Sequence, residues 1–349
     1  VANEMSTRNT DSTGGVEYTQ THDAVGNMTD DGQSYKYVYD VFGRLKTVKN
    51  QSNTVIAEYQ YNGLGYRIAF LEDTDNDGDA DGSDKTFWIA YDENWRMLSV
   101  FREGDTSPKE EFVNQLAGFD GHGGSSMLDG VVCRYKDANT AWTDAGDGTL
   151  EQRYYYCQNW RGDVSAIVTS SGTMVEWIKY SSYGIPFALP AGDTESDGDC
   201  DTTDVGQILT WANAPAEDGR GDLDLDGDVD ATDRSNAISN FQGTTLGWSV
   251  LSANNVKNRK GYAGYERDVN FAKIWHVRNR VLDSELGRWT RRDSLGYAQG
   301  MNIYGYVAAR SILMVDPSGR LGHLAPGCPI PAAGGYPSSG PEESLCTNN

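Results

Sequence analysis

Basic residues are scarce in this chain of 349 residues. Lys and Arg number 29 against 51 Asp and Glu, which gives a formal net charge of −22 at pH 7. A surface this acidic repels phosphate backbones and anionic lipid, so we expect no nucleic-acid partner. Long apolar runs are missing too, and none approaches the roughly 20 residues that a membrane-spanning helix requires. We therefore expect no membrane span.

Cysteine and histidine are few and poorly placed for chemistry. The five cysteines are Cys133, Cys157, Cys200, Cys328 and Cys346, an odd set without metal-site spacing, so the redox compartment stays open. The last two lie in a Pro/Gly/Ser-rich tail, where they could form a disulfide. Four histidines lie far apart and form neither a metal-ligand pattern nor a nucleophile–base arrangement. These absences argue against a conventional metabolic enzyme.

Glycine and tyrosine are abundant instead, with 40 and 20 residues. Many glycines indicate many turns, and Tyr, Val, Thr and Trp suit pleated, half-exposed strands. Residues that favour helices do not dominate. The composition therefore predicts a mainly β fold.

One unit recurs through the first half of the sequence: an aromatic strand, an Asp or Asn, a glycine turn and a second strand. Clear copies begin their turns at Asp23, Asp40 and Asn62, and looser copies lie at Tyr91-Asp92 and from Tyr180 to Gly184. The Asp or Asn starts the turn by bonding its own backbone, and the glycine takes a positive φ. One hairpin is only marginally stable in water, so we predict that successive hairpins stack into a long antiparallel sheet. An ordinary antiparallel β domain is the alternative.

These units resemble the YD repeats of the Rhs and teneurin families. In those families the repeats coil into a large, hollow β-shell. The resemblance implies such a shell here, whereas the spacing alone implies only serial hairpins. The segment 154–184 resembles the stretch that leads into the Rhs-associated core.

Three twelve-residue segments, 73–84, 193–204 and 222–233, carry acids at alternate positions and glycine at the sixth. This pattern is typical of calcium-binding loops, in which positions 1, 3, 5, 9 and 12 converge on one hard cation. Position 7 supplies its backbone carbonyl, so we expect the Asp79, Asp199 and Asp228 side chains to point outward. The candidate ligands are Asp73, Asp75, Asp77, Asp79, Asp81, Asp84, Asp193, Glu195, Asp197, Asp199, Asp201, Asp204, Asp222, Asp224, Asp226, Asp228, Asp230 and Asp233.

Charge repulsion supports the calcium interpretation of these loops. Two carboxylates about 5 Å apart repel by just under 1 kcal/mol even in bulk water, and each loop holds several such pairs. The alternative is a solvated acidic linker. The loop at 73–84 lies between two strand-like segments, so we predict a hairpin tip that calcium closes, with a flexible acidic loop as the alternative.

The loops at 193–204 and 222–233 each run into a segment with helical spacing of apolar residues. This duplicated loop–helix, about residues 193–240, resembles a type I dockerin, and Asp at position 12 is typical of dockerins. In that family the loops bind calcium, and positions 10 and 11 of each loop help to recognise a cohesin partner. Those positions are Thr202, Thr203, Ala231 and Thr232 here.

The order of motifs after residue 260 closely resembles the Rhs-associated core, with a pattern similar to Rhs-like proteins of planctomycete-type bacteria. In related shell proteins, notably the C components of Tc toxins, this core caps the shell and acts as an aspartyl autoprotease. The matched residues are Asp293 and Asp316 as the dyad, with Arg280 nearby and cleavage near Leu321. Two carboxylates that share a proton can act as base and acid, and a tethered peptide has a high effective concentration.

Two features of the sequence weaken the protease interpretation. Ser294 stands where the family favours proline, and the tail after Leu321 is too short for a toxin domain. Asp-Pro-x-Gly is also an ordinary turn signature. A purely structural role for these residues is therefore the alternative to self-cleavage.

We therefore expect four parts: a YD-repeat β segment at 1–190, a small α-helical calcium-binding insertion at 191–242, an Rhs-associated core at 243–321 and a variable tail at 322–349. The chain begins at Val1 in polar, repeat-like sequence, and we interpret it as a fragment or processed product. The expected function is that of a secreted or cell-surface, non-enzymatic structural and interaction protein stabilised by calcium. The alternatives are a self-cleaving delivery shell with encapsulated or C-terminal cargo and a cohesin-binding attachment module; self-association is a further option.

Overall fold

The computed structural model describes residues 4–9, 17–75, 77–116, 130–214, 218–271 and 273–325, and in them the chain is mainly β. The strands in the first part are β1 Thr7–Arg8, β2 Tyr18–Thr19, β3 Thr21–His22, β4 Met28–Asp30, β5 Tyr35–Tyr39, β6 Leu45–Asn50, β7 Val55–Tyr61, β8 Arg67–Glu72, β9 Lys85–Tyr91, β10 Met97–Arg102, β11 Glu110–Asn114, β12 Val131–Lys136, β13 Gln152–Gln158, β14 Val164–Thr169, β15 Met174–Tyr180 and β16 Pro186–Pro190. The later strands are β17 Gly247–Trp248, β18 Glu266–Arg267, β19 Ile274–Val277, β20 Arg280–Asp283, β21 Arg288–Trp289, β22 Met314–Val315 and β23 His323–Leu324.

Helical structure is confined to short elements. The α-helices are α1 Thr202–Trp211 and α2 Ala231–Asn236, and a π-helical turn at Ala237–Phe241 continues the second. Short 3-10 turns lie at Gly219–Gly221, Tyr262–Gly264, Gly296–Gln299 and Val307–Ala309. No helix in the described ranges has both the length and the apolar character needed to cross a bilayer.

Fifteen strands, β3 to β17, form one antiparallel sheet in which every strand pairs with its neighbours along the chain. This arrangement confirms the prediction of serial hairpins. The turns follow the predicted chemistry: Asp40 Oδ1 accepts the amide hydrogens of Phe42 and Arg44, both at 2.9 Å, and Gly43 has φ 72°. The copy that begins at Asp92 differs, because Trp95 rather than glycine takes the positive φ, 64°.

The sheet curls until its ends meet the same short segment. His22 in β3 lies 5.8 Å from the ring of Tyr304, and Tyr183, between β15 and β16, lies 6.5 Å from the ring of Tyr306. In a flat sheet with about 4.8 Å between strands, β3 and β16 would be roughly 60 Å apart. Since Tyr304 and Tyr306 are two residues apart, the sheet must wrap around the C-terminal part of the chain.

The C-terminal part fills the inside of the curled sheet. Its own four-stranded sheet, β18 to β21, is buried, and Trp275 and Trp289 are among the largest fully enclosed side chains. They share one hydrophobic core with sheet residues such as Tyr37, Phe70 and Phe87. The resemblance implied a hollow shell, whereas the interior of the described chain is packed with its own C-terminal strands.

The acidic insertion leaves the sheet after β16 and returns at β17, which pairs with β16. The sheet therefore continues past the insertion, beyond the boundary expected at residue 242. Val205, Ile208 and Leu223 of the insertion form a second small core with Ala166 and Met174 of the sheet. The insertion is thus packed onto neighbouring hairpins rather than tethered by a linker.

Several sequence predictions fall outside the described residues. Cys328, Cys346 and residues 326–349 of the predicted tail lie there, so the disulfide stays a prediction. The first residues of that tail do form structure, because β23 pairs with β22. The cysteines that the structure describes, Cys133, Cys157 and Cys200, form no disulfide.

Candidate functional site

The three acidic loops share one internal hydrogen-bond pattern. In each, the carboxylate at position 1 accepts the amide hydrogen of the glycine at position 6: Asp73 from Gly78 at 3.0 Å, Asp193 from Gly198 at 2.9 Å and Asp222 from Gly227 at 3.1 Å. All three glycines have positive φ, 93°, 108° and 102°. A side chain at that position would be strained, so glycine is what permits the sharp bend.

The carboxylate at position 12 closes each loop from the other end. Asp84, Asp204 and Asp233 each accept the amide hydrogens of positions 2 and 9, for example Asp204 from Thr194 at 2.7 Å and from Asp201 at 2.8 Å. In the insertion these residues also form capping boxes at the first turns of α1 and α2. Because 73–84 shows the same bonds without any helix, the pattern belongs to the loop itself. This loop joins β8 to β9 and is the predicted hairpin tip.

Carboxylates converge in each loop, but in smaller groups than the sequence predicted. Among the described residues, carboxylates form groups of three whose ligand atoms all lie within 4.8 Å of one another. These groups are Asp73, Asp75 and Asp84; Asp79, Asp81 and Asp84; Glu195, Asp201 and Asp204; Asp222, Asp224 and Asp226; and Asp228, Asp230 and Asp233. The side chains of Asp79 and Asp228 lie within such groups, and Asp228 is at the same time exposed, so the expectation that they point outward stays a prediction. Asp77, Asp193, Asp197 and Asp199 are in none of the groups that the described residues form.

Like charges and partial burial act on the loop acids. Burial raises the pKa of Glu195, and Asp197 and Asp204 raise it further. The pKa of Asp224 is raised in the same way, by burial and then by Asp233 and Asp226. Asp201 and Asp230 differ, because the backbone amides of Thr203 and Thr232 lower their pKa values. The loops therefore hold negative charge that neighbouring acids make less favourable.

Some loop oxygens are shielded from solvent without a hydrogen-bond donor. Within the described chain, Asp73 Oδ1, Asp79 Oδ1 and Asp224 Oδ1 are buried and accept no hydrogen bond. A buried carboxylate oxygen without a partner is costly. Calcium is bound by such hard oxygens, so two of the three loops offer atoms that fit it.

The predicted partner-binding positions are open to solvent. Thr202 and Thr203 begin α1, Ala231 and Thr232 begin α2, and all four are exposed. The duplicated loop–helix thus presents equivalent residues twice on the surface of the insertion.

The three predicted catalytic residues do meet. Arg280 Nη2 lies 2.8 Å from Asp293 Oδ2 and 3.3 Å from Asp316 Oδ2, and all three side chains are buried. Burial lowers the pKa of Arg280, and the two aspartates oppose that shift. Both carboxylates contact the same guanidinium nitrogen, Nη2. Such a cluster can hold together the two segments that carry Asp293 and Asp316. It can also position the two carboxylates for acid–base chemistry.

Asp316 also organises the predicted cleavage region. Its Oδ1 accepts the amide hydrogens of Arg320 and Leu321, both at 3.0 Å, and Arg280 Nε donates to the carbonyl of Gly319. The peptide that would be cut is therefore held directly against one member of the predicted dyad.

Sequence reasoning missed a chain of buried ion pairs between the sheet and the C-terminal part. Glu110 lies 3.1 Å from Arg134 and 3.3 Å from Arg259, and Glu266 lies 2.7 Å from Arg67. Burial would raise the pKa of Glu266, but Arg67 and other cations lower it to about 2. The only available signal was a charged residue on an otherwise apolar strand face, which does not reveal its distant partner.

Fold and site together define a mainly β protein of serial hairpins, closed around its own C-terminal strands and carrying acidic loops. No family model matches the chain. Over 209 residues, 52% of this chain, it is 26% identical to the tRNA3(Ser)-specific nuclease WapA of Bacillus spizizenii and 25% identical to the tRNA nuclease WapA of Bacillus subtilis. The match spans 9% of each of those proteins.

Solved structures show a similar likeness to part of a larger protein. The crystal structure of TcdB2-TccC3-TEV matches 85% of this chain and 11% of that chain, at 17% identity and a TM-score of 0.49. The Tc holotoxin pore of Photorhabdus luminescens matches at 16% identity with a TM-score of 0.48. The chain thus spans about a tenth of each protein that it resembles.

Proposed function

We propose that this chain is a segment of an Rhs/YD-repeat protein that works outside the cell as a structural and interaction element and binds calcium in its acidic loops. The serial hairpins and the similarity to WapA over half of the chain support the repeat assignment. WapA is named as a nuclease, but the match spans only 9% of that protein. We therefore do not extend the nuclease activity to this chain.

The buried, donor-free oxygens of Asp73, Asp79 and Asp224 carry the calcium proposal. Calcium bound there would supply the positive charge that these oxygens lack. An ion bound there would also join the two ends of its loop and, at 222–233, fix α2 against the hairpins beneath it. Exposed acids alone would not require a cation, whereas enclosed ones do.

The test is a calcium titration followed by thermal melting of the chelator-treated chain, with magnesium as the comparison. Calcium at about 100 times its dissociation constant should add about 2.7 kcal/mol per site to the free energy of unfolding. Magnesium should add much less, because it prefers a rigid octahedral site and keeps its water. An unchanged melting temperature in calcium would overturn the calcium proposal.

A second candidate function is self-cleavage near Leu321, favoured by the contact of Asp316 with the Leu321 amide. Intact-mass measurement of the purified chain would reveal a cut at this point. Asp293→Asn should abolish the cut, and Asp92→Asn, in a distant repeat turn, should leave it unchanged. A chain that stays whole in both backgrounds would assign the Arg280 cluster a structural role.

Attachment to a cohesin-like partner is the third candidate, favoured by the exposure of Thr202, Thr203, Ala231 and Thr232. Binding to a cohesin-like protein, measured by pull-down, should require calcium. It should be lost in the double variant Thr203→Ala/Thr232→Ala. Calcium-dependent melting without any binding would leave the insertion as a stability element only.

A further inference from the structure

A small cavity lies where the turns after β5 and β7 meet the C-terminal strands. Its volume is about 60 Å³, several times the roughly 10–15 Å³ that one water needs. Tyr39, Arg44 and Tyr61 line it from the sheet, and Arg278 and Arg291 line it from the C-terminal part. No predicted metal or protease residue except Arg280 belongs to its lining.

The cavity wall is strongly cationic in an otherwise acidic protein. Six basic side chains line it, against a single acidic one, Glu266; the basic residues are Arg44, Arg67, Lys260, Arg278, Arg280 and Arg291. Three of the arginines are paired with carboxylates: Arg44 with Asp40 at 2.6 Å, Arg67 with Glu266 at 2.7 Å, and Arg280 with Asp293 and Asp316. Positive charge is therefore concentrated on this one wall.

Arg291 differs from these three paired arginines. Its Nη1 donates to the backbone carbonyls of Phe42 and Gly43, and it forms no ion pair with a carboxylate in the described chain. Its Nε is buried and lacks a hydrogen-bond acceptor among the described residues. Burial lowers the pKa of Arg291, which shows the cost of holding this charge without a counter-ion.

A second donor lies on the same wall. The hydroxyl of Tyr39 is buried and makes no hydrogen bond of normal geometry with described residues. A guanidinium N–H and a phenol O–H that face one small space are the donors that an oxyanion accepts from. Water could occupy the space, but water would not neutralise Arg291.

We propose that this cavity binds a small oxyanion, with Arg291 Nε and the Tyr39 hydroxyl as its donors. The bound anion ties the turn at Gly43 to the C-terminal strands and compensates the half-buried guanidinium, whose Nε is enclosed. Phosphate, sulfate and a carboxylate share the required chemistry, and the choice among them is made by measurement.

The experiment is isothermal titration of the full chain with sodium sulfate, sodium phosphate and sodium acetate, each against sodium chloride of equal ionic strength, in calcium-free buffer. We expect saturable binding of one equivalent. Binding of sulfate and phosphate but not acetate would identify the ligand as a tetrahedral anion. Binding of acetate alone would identify it as a carboxylate. Binding no stronger than that of chloride for all three would overturn the proposal.

Variants separate this cavity from general surface charge. Arg291→Gln should weaken binding by about tenfold or more, and Tyr39→Phe by a few-fold, in proportion to the donors removed. Arg310→Gln removes the same charge from an exposed position and should change nothing. Equal losses in Arg291→Gln and Arg310→Gln would overturn the proposal. If Arg291→Gln does not fold, the anion affinities of Tyr39→Phe and Arg291→Lys test the proposal instead. Unchanged anion affinity in both variants would also overturn the proposal.

Discussion

Charge is handled in opposite ways in two regions of this molecule. Inside the curled sheet, buried acids lie against buried bases, as Glu110 does against Arg134 and Arg259. In the acidic loops, burial raises the pKa of Glu195, and every charged group that raises it further is another acid. These interior pairs are therefore neutralised by the chain itself, whereas in the calcium proposal the loops are neutralised by cations from solution. Stability should respond to mutation in the first region and to ions in the second.

The largest expected effect is from breaking the interior pairs. Arg134→Ala leaves Glu110 buried with one partner fewer and removes hydrogen bonds to the carbonyls of Val256 and Lys257. We expect a loss of about 3–5 kcal/mol in the free energy of unfolding, measured by chemical denaturation. Arg153→Ala, at an exposed position on the neighbouring strand, should cost less than about 1 kcal/mol. Similar losses for both variants would break the comparison.

The next effect concerns Glu176, a buried acid in β15. Burial raises its pKa to about 7, although Ser252 and the amide of Ala253 oppose the shift. Because this folded-state pKa lies above the ordinary value of 4.5, the folded state holds the proton more tightly. Stability is therefore unaffected by this group at low pH and falls as pH rises from about 4.5 to 7, by about 3 kcal/mol in all.

Glu176→Gln should remove that loss, so the variant should exceed the parent in stability at pH 8 but not at pH 4. Denaturation curves at both pH values measure the difference. Glu111→Gln, exposed on β11, is the control and should leave the pH profile unchanged. If the stability of the parent relative to Glu176→Gln rose between pH 4.5 and 7, the raised pKa of Glu176 would be contradicted.

The third prediction tests the loops one at a time. Asp224→Asn and Asp75→Asn should each reduce the calcium stoichiometry by one and lower the calcium-induced gain in stability by about 2–3 kcal/mol at saturating metal. In the absence of calcium, both variants should be at least as stable as the parent, because each removes repulsion. Asp218→Asn changes a half-exposed acid of the insertion outside the loops, and this variant should bind calcium normally. Calcium binding that survives in both loop variants would place the metal elsewhere.

The smallest effect is expected in the repeat turns, where backbone amides satisfy the acids. Asp40→Ala removes two amide hydrogen bonds and the contact with Arg44, and should cost about 1–2 kcal/mol. Asp40→Asn should cost less, since Asn62 accepts the same two amides in the next repeat. Thermal melting in the presence and absence of calcium should show the same loss for each variant. A calcium-dependent loss would mean that the two regions are coupled.

Local rules made much of the fold predictable. The aromatic alternation and the Asp–Gly turns identified the hairpins between Tyr35 and Tyr61, because turn chemistry acts over four or five residues. The twelve-residue acidic pattern located the bend at Gly198 for the same reason. It predicted helices after the loops, whereas they begin inside the loops, after the N-caps Asp201 and Asp230. The half-buried Trp95 at positive φ was not predicted, because tryptophan has no intrinsic preference for that conformation.

Contacts between distant segments could not be predicted from the sequence. The cavity beside Arg291 and the pairing of Lys273 with Asp31, 2.8 Å apart, depend on how tightly the sheet curls. The convergence of Asp293, Asp316 and Arg280 was proposed from resemblance, and the structure brings them together. Resemblance did not reveal that both carboxylates would contact one nitrogen of Arg280.

The sequence by itself determined the order of hairpins, the position of each turn and the shape of the acidic loops, since these depend on neighbours within about a dozen residues. Tertiary structure alone decided that the sheet closes around its C-terminal strands and which charges meet inside. Those outcomes depend on packing between segments up to about 280 residues apart, as in the bond from Tyr304 to Gly26, and no local pattern encodes them.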